Sequence, residues 1–321
     1  MSKEVTVVMY HYVRDLKYSR YPEIKGLDVQ LFKEQLEYIL KHYNVVTMEE
    51  LMEAKERNRD LPENALLLTF DDAYIDHYLN VFPILNDKGI QGTFFPPVKA
   101  ITKHEVLDVN KIHFILASVG EKQMLIDEIF NIMDKYRDRY KLKDNEYYYK
   151  KYAIKNRFDT EEVVFIKRIL QGGLPEKLRN EICDYLFRKY VSENESAFSR
   201  ELYMNVDQLR CMKQNGMFIG VHGYDHYWLS TLDEEQQINE IELSMKFLQE
   251  VGESIDRWVV CYPYGDYDET LLKVIKGRGC TIGFTTEVAV ANIERDYCLT
   301  LPRLDTNDLP KDRNAELRVI R

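Results

Sequence analysis

An alternation of short apolar segments and helical patterns constrains the fold most strongly. In the first hundred residues, apolar segments at residues 5–9, 65–70 and 92–95 read as buried strands, with helical patterns between them. The alternation resumes near residue 206, with further predicted strands at residues 217–221, 258–261, 281–285 and 297–301. Strands that alternate with helices are typical of a mainly parallel sheet or barrel. The sequence therefore predicts an α/β fold.

This alternation is absent between residues 103 and 200. Ile126, Ile129 and Met133 fall at helical spacing, and Gly172 and Gly173 end a helix before Pro175 opens another. We interpret residues 103–200 as a helical insertion, and residues 1–102 together with 201–321 as the domain that carries the strands.

A basic, tyrosine-rich stretch lies within the insertion. Residues 135–157 contain nine Lys or Arg against three acidic residues, interleaved with six tyrosines. A solvated helix face is the simpler interpretation, and a site for a phosphate-bearing ligand is the alternative.

Overall charge and apolar patterning exclude several functional classes. Forty-four Lys and Arg against 54 Asp and Glu give a net charge of −10, which argues against a general nucleic-acid binder. No apolar run approaches the roughly 20 residues of a membrane helix, so no membrane insertion is expected. The apolar run at residues 5–9 is shorter than the ~7–15 residues of an export signal, which predicts a cytoplasmic protein. Five scattered cysteines without a C-x-x-C pair predict reduced thiols.

Two carboxylates and two histidines follow predicted strands. Asp71 and Asp72 come directly after residues 65–70, where a parallel barrel places its active site, although Asp also serves as a helix N-cap. His222 and His226 follow residues 217–221, with a spacing that lets two imidazoles bind one cation. Asp72 with the two histidines makes a set of two nitrogens and one oxygen, and Asp71 lies beside it.

These segments carry a family resemblance. Thr69-Phe70-Asp71-Asp72, His222-Gly223-Tyr224-Asp225-His226 and Tyr262-Pro263-Tyr264-Gly265 resemble the three motifs of the polysaccharide deacetylase, or NodB-homology, family, and Gly92-Thr93-Phe94-Phe95 resembles the strand between the first two. The resemblance covers roughly residues 1–102 and 201–306. It implies a distorted (β/α) barrel, with the helical insertion outside the match.

The resemblance also implies roles for individual residues. The family binds a divalent metal ion, commonly zinc, through positions that correspond to Asp72, His222 and His226. The position of Asp71 corresponds to the general base, and the backbone N–H of Tyr264 to a donor that helps to hold the oxyanion. Metal, base and donor together suit hydrolysis of an amide.

The sequence departs from the family pattern at three places. Ala73 stands where glycine usually follows the two aspartates. Cys261 and Tyr262 precede Pro263 where many members have an arginine that pairs with the base. Arg303 is a candidate to supply that charge, with a surface ion pair as the alternative. No histidine follows His226, so the usual general acid is missing from its usual place. His11 ends the first strand, which is similar to the branch of the family that carries this residue near the amino terminus; a structural histidine is the alternative.

The sequence therefore predicts a metal-dependent hydrolase that removes an N-acetyl group from an amino sugar. Because no export signal is recognised, the expected substrate is an intracellular precursor of a surface polysaccharide, linked to a nucleotide or a lipid. The alternatives are removal of an N-formyl or O-acetyl group by the same machinery, and a non-catalytic carbohydrate-binding relative. The oligomeric state is left open.

Overall fold

The computed structural model describes residues 2–156 and 159–317 and shows an α/β fold with a parallel sheet and many helices. The strands of the described residues are β1 (Glu4–Tyr10), β2 (Val13–Arg14), β3 (Leu27–Asp28), β4 (Asn44–Val45), β5 (Ala65–Asp71), β6 (Thr93–Phe95), β7 (Phe218–Ile219), β8 (Trp258–Cys261), β9 (Cys280–Phe284), β10 (Ala291–Asn292) and β11 (Leu304–Asp305).

The helices fall into two groups along the chain. Those before residue 104 are α1 (Val29–His42), α2 (Met48–Glu56), α3 (Phe82–Asp87) and α4 (Val98–Lys103). Those after it are α5 (Asp108–Ser118), α6 (Lys122–Tyr140), α7 (Asn145–Tyr152), α8 (Glu161–Arg168), α9 (Glu176–Tyr190), α10 (Glu195–Leu202), α11 (Val206–Gln214), α12 (Glu234–Val251) and α13 (Glu269–Lys276).

Parallel pairing brings distant parts of the chain to one edge of the sheet. The order β1-β5-β6-β7 is parallel throughout, β4 pairs with β5 and β11 pairs with β1, both in parallel, while β10 is antiparallel to β1. β8 and β9 form a second parallel pair. Single parallel bridges, Val221 to Val260 and Phe284 to Leu301, link β8 and β9 to the segments that follow β7 and precede β11. The α/β class is confirmed, and the closed barrel remains a prediction.

One local prediction was wrong. The predicted strand at residues 297–301 is a 3₁₀ turn, Cys298–Thr300, because the amide of Thr300 bonds to the carbonyl of Tyr297 and only Leu301 makes a strand-like bridge. The helical segment that follows β5 begins as a π-helical turn, His77–Val81, and continues as α3. Pro83 has no amide hydrogen to donate, which favours a change of helix type at this point.

The chain divides into two compact units. The first comprises residues up to Asp15, Gly26–Glu105 and the chain from Ser199 onward. The second comprises Leu16–Lys25 and Val106–Phe198, and thus includes a short segment that the sequence analysis left with the strands. In that segment the ring of Tyr21 packs edge-on against Phe114 at 4.9 Å, which accounts for its inclusion. The domain boundaries drawn from the sequence stay a proposal.

The second unit is helical. Its core contains apolar residues from α5, α6, α8 and α9, among them Ile115, Ile129, Phe165 and Ile182. The basic stretch begins in α6 and runs through α7; Lys150 pairs with Glu146 at 2.6 Å, and Arg137 pairs with Asp134. Such local pairs are typical of a solvated helix face. Arg157, the last residue of this stretch, lies outside the described residues.

In the described part of the chain, none of the helices is both long enough and apolar enough to span a membrane. The five cysteines are all free thiols, and Cys183, Cys261 and Cys280 are buried.

Candidate active site

The site begins at the carboxyl end of β5, where the chain makes a tight turn. Every residue of β5 is buried, and the strand ends at Asp71. Asp72 and Ala73 follow with φ angles of 71° and 50°, in the left-handed region that costs a residue with a side chain about 1–2 kcal/mol. The amide of Asp72 donates to the carbonyl of Phe95 at 3.1 Å, and that of Met204 donates to the carbonyl of Ala73 at 2.9 Å. The turn is therefore built by long-range contacts, without the glycine common in the family.

Asp72, His222 and His226 come together behind this turn; we call this group the metal corner. Nε2 of His222 and Nε2 of His226 each lie 3.4 Å from Oδ1 of Asp72, and all three side chains are buried. Nδ1 of His222 donates to the carbonyl of Cys261 at 2.7 Å, which leaves the Nε2 lone pair facing the carboxylate. Oδ1 has no hydrogen-bond partner among the described residues. A cation between these three atoms would satisfy it.

Tyr74 fixes the other oxygen of this carboxylate. Its hydroxyl donates to Oδ2 of Asp72 at 2.6 Å, and its ring is fully buried and stacked on that of Tyr12, with centroids 3.9 Å apart. Burial and the charge of Asp72 raise the pKa of Tyr74 well above its usual value, so the hydroxyl remains a donor. Burial excludes contact between this ring and a substrate.

Asp71 lies in a second group, with Arg303, Cys261 and Thr69, which we call the base corner. The guanidinium of Arg303 donates to both oxygens of Asp71, at 3.0 and 2.8 Å. The same guanidinium lies 3.1 Å from Oγ1 of Thr69 and 2.9 Å from Sγ of Cys261. Arg303 is 1% exposed. It is thus a buried partner of Asp71 rather than part of a surface ion pair.

Opposing effects set the pKa values of the two aspartates. Burial raises the pKa of Asp71, but the charge and hydrogen bonds of Arg303 outweigh burial and lower that pKa to about 2. Burial likewise acts on Asp72, and contacts with His222 and His226 hold its pKa well below the usual range. Both groups are carboxylates at neutral pH.

Ligand type alone allows a second metal cluster, formed by Asp71, His222 and Cys261. Arg303 distinguishes the two clusters, since its guanidinium bonds to both the carboxylate and the thiol of this second group. A fixed positive charge disfavours a divalent cation there. The metal corner is the better candidate.

His11 lies beside the base corner. Nε2 of His11 is 3.9 Å from Oδ2 of Asp71, and the side chain is 40% exposed, so a substrate can reach it. The carbonyl of His11 accepts a hydrogen bond from Nε2 of His77 at 2.8 Å. Burial lowers the pKa of His77 to about 4, so this residue is neutral and holds the backbone at the end of β1.

Tyr264 lies on the other side of the metal corner. Its ring packs edge-on against His226, with centroids 4.8 Å apart, and its φ is 59°. The next residue must be glycine: Gly265 has a φ of 72°, and a Cβ there would lie 2.3 Å from Oγ1 of Thr286. This turn places Tyr264, whose amide is the predicted oxyanion donor, with its ring against His226.

Sequence reasoning missed Glu240 of α12. Its Oε2 accepts hydrogen bonds from the amides of Tyr224 and Asp225, at 2.9 and 3.0 Å. Those amides lie between His222 and His226, so the carboxylate fixes the spacing of the two imidazoles. No local pattern distinguishes Glu240 from the other acidic residues of its helix.

Comparison with known proteins agrees with this geometry. The family model described as polysaccharide deacetylase matches residues 58–125 and 175–283, more than half of the chain. The chain belongs to the polysaccharide deacetylase family. The protein YxkH of Bacillus subtilis (strain 168) is 31% identical over 90 residues, which are 28% of this chain and 32% of that protein. The match thus spans about a third of the length of this relative.

Solved structures of deacetylases share the fold. Streptococcus pyogenes PplD, solved in complex with acetate, has a TM-score of 0.56 at 17% identity, over 94% of this chain and 92% of its own. IcaB from Ammonifex degensii has the same score and identity, over 94% and 91%. A de-N-acetylase from Aggregatibacter actinomycetemcomitans scores 0.53 at 18% identity, over 98% and 97%. At sequence identities of 17–18%, these similarities support a shared fold and nothing further.

Proposed function

We propose that this member of the polysaccharide deacetylase family is a metal-dependent hydrolase that removes the N-acetyl group of an amino sugar. One observation carries the proposal: Oδ1 of Asp72, which is buried and has no hydrogen-bond partner in the described part of the chain, lies 3.4 Å from two imidazole nitrogens. Beside it is a second carboxylate, that of Asp71, which a guanidinium holds in place. A non-catalytic carbohydrate-binding relative would not need these features together.

Asp72, His222 and His226 would hold the metal ion. Their two nitrogens and one carboxylate oxygen suit zinc, and they leave positions for water and substrate. When bound, a divalent cation supplies Lewis-acid chemistry, because it lowers the pKa of water and polarises a carbonyl oxygen. Tyr74 and the carbonyl of Cys261 orient two of the three ligands.

Asp71 is the proposed general base. As a carboxylate whose two oxygens are held by Arg303, it accepts a proton from the attacking water without rotating away. Its low pKa keeps it ionised throughout the neutral range.

His11 and Tyr264 complete the proposed machinery. His11 approaches the base corner from β1 and is exposed enough to donate a proton to the leaving amine. The backbone N–H of Tyr264 is the proposed donor to the oxyanion that forms when the amide carbonyl is attacked. The products are acetate and a free amino sugar.

The identity of the substrate is a separate part of the proposal. An intracellular precursor linked to a nucleotide or a lipid remains the hypothesis from the sequence, with the basic stretch of the second unit as the candidate contact for its phosphates. Removal of residues 135–157 tests this contact: unchanged affinity for a phosphorylated substrate would refute it. An N-formyl or O-acetyl group is the alternative scissile group.

The decisive experiment is an acetate-release assay on purified protein whose metal content has been measured. The panel contains acetylated amino-sugar oligosaccharides, sugar nucleotides, and N-formyl and O-acetyl analogues. A chelator is expected to abolish release, and zinc or another divalent ion to restore it. His226→Ala is expected to lose both metal and activity. Release that survives complete removal of metal would overturn the proposal.

A further inference from the structure

A buried thiol bridges the ion pair of the base corner. Cys261 is the last residue of β8 and has no exposed surface. Its sulfur lies 2.9 Å from Nη2 of Arg303 and 3.4 Å from Oδ2 of Asp71. A guanidinium can only donate hydrogen bonds and a carboxylate can only accept them, so the sulfur accepts from Arg303 while its S–H points at Asp71.

The thiol contacts the oxygen of Asp71 that faces the accessible part of the site. Nε2 of His11, whose side chain is 40% exposed, lies 3.9 Å from this atom, Oδ2. Oδ1 instead accepts from Nη1 of Arg303, which also donates to Oγ1 of Thr69. Oδ2 is therefore the oxygen that is placed to take a proton from the attacking water, and both Cys261 and Arg303 donate to it.

The backbone of the same residue holds a proposed metal ligand. The carbonyl of Cys261 accepts from Nδ1 of His222 at 2.7 Å, and its amide donates to the carbonyl of Val221 at 2.9 Å. Two backbone hydrogen bonds thus fix Cys261 against the segment that carries His222, while its side chain reaches Asp71. One residue therefore connects the metal corner to the base, and a supporting contact of this kind sets the geometry between reacting groups.

We propose that Cys261 is a positioning residue, whose thiol holds Oδ2 of Asp71 in the orientation that accepts the proton, at a fixed place relative to the metal corner. This role rests on the proposed function and makes it more specific. The thiol takes no part in the covalent steps. It lies in the segment where many members of the family have an arginine that pairs with the base, so this chain divides that task between Arg303 and a neutral donor.

The kinetic test uses two substitutions of the thiol. Wild type, Cys261→Ala and Cys261→Ser are assayed for acetate release on a substrate that wild-type protein deacetylates. Cys261→Ala is expected to lower kcat and kcat/KM equally, by about tenfold, because the thiol acts on proton transfer and not on substrate binding. Cys261→Ser keeps a donor and is expected to recover most of this loss. Cys280→Ala removes another buried thiol, which contacts the carbonyl of Ile282 at 3.5 Å, and should leave kcat unchanged.

A second comparison asks whether the thiol acts through the base. Cys261→Ala is combined with Asp71→Asn, and its effect on kcat is compared with its effect in wild-type protein. A thiol that positions Asp71 costs about tenfold when the base is present and little when the base has been removed. Zinc affinity, measured against a competing chelator, should be the same in wild type and Cys261→Ala, because the carbonyl that bonds to His222 remains.

Three results would each overturn the proposal: an unchanged or higher kcat in Cys261→Ala, an equal loss in the Asp71→Asn background, or a fall in zinc affinity. The last two would mean that the thiol acts on the fold or on the metal corner. Failure of the proposed function is a different result, in which wild-type protein releases no acetate from any substrate. If Cys261→Ala does not fold, Cys261→Val, which fills the site without a donor, replaces it in every comparison.

Discussion

The metal corner and the base corner are built around neighbouring aspartates, yet they differ in the source of their positive charge. In the base corner the chain supplies its own cation, since Arg303 bonds to both oxygens of Asp71. In the metal corner Oδ1 of Asp72 faces two imidazole nitrogens and has no hydrogen-bond partner among the described residues. We propose that the two adjacent carboxylates have separate roles because Arg303 neutralises Asp71, whereas a bound ion would neutralise Asp72.

The largest effect is expected at the base. Asp71→Asn keeps the shape of the side chain but removes the proton acceptor, so turnover should fall by about 10²–10⁴-fold while the metal corner still binds its ion. Acetate release and metal content of the same preparation check this. Full activity would remove Asp71 from its assigned role, and loss of metal would show that the two corners are not separate.

The next effect concerns the buried ion pair. Arg303→Met leaves Asp71 buried without its partner, and unfolding in urea should show a loss of about 3–5 kcal/mol of stability. The double variant Asp71→Asn with Arg303→Met removes both charges and should lose less stability than the two single variants together. Strict additivity of the two losses would contradict the pairing.

A smaller effect is expected from the hydroxyl that orients the metal corner. Tyr74→Phe leaves Oδ2 of Asp72 without its donor, and affinity for zinc should fall about 10–100-fold in a titration with a competing chelator. Tyr10→Phe is the matched control, because it removes another buried hydroxyl, which donates to Gln35 at 2.8 Å. Equal losses in the two variants would assign the effect to general destabilisation.

The smallest effect concerns the turn between the corners. Ala73 has a φ of 50°, a conformation that glycine adopts without strain, but glycine also has more freedom in the unfolded chain. Ala73→Gly is therefore expected to change stability by between about 0 and 1 kcal/mol in the stabilising direction. Denaturant unfolding measures this, and a clear destabilisation would argue that the methyl group has a packing role.

Many residues of the site could be predicted from the sequence because they directly follow predicted strands. Parallel strands end at one edge of a sheet, so Asp71 and Asp72 after β5, and the histidines after β7, were expected to meet. The direction of a single side chain could not be predicted from the sequence: Cys261 was noted only where an arginine is missing, although its thiol lies against Asp71 and Arg303. Whether such residues face inward depends on packing from elements far away in sequence.

The α/β class, the family, and the set of carboxylates and imidazoles that suits a metal ion could all be inferred from the amino-acid sequence. Only the tertiary structure shows that Arg303 is the partner of Asp71, while Asp72 faces two imidazoles. Arg303 reaches Asp71 because β11 pairs with β1 at Leu304 and Val8, and β1 pairs with β5, so a residue 232 positions away comes within hydrogen-bond distance. Pairing of distant strands is a cooperative property of the whole sheet, and no local pattern encodes it.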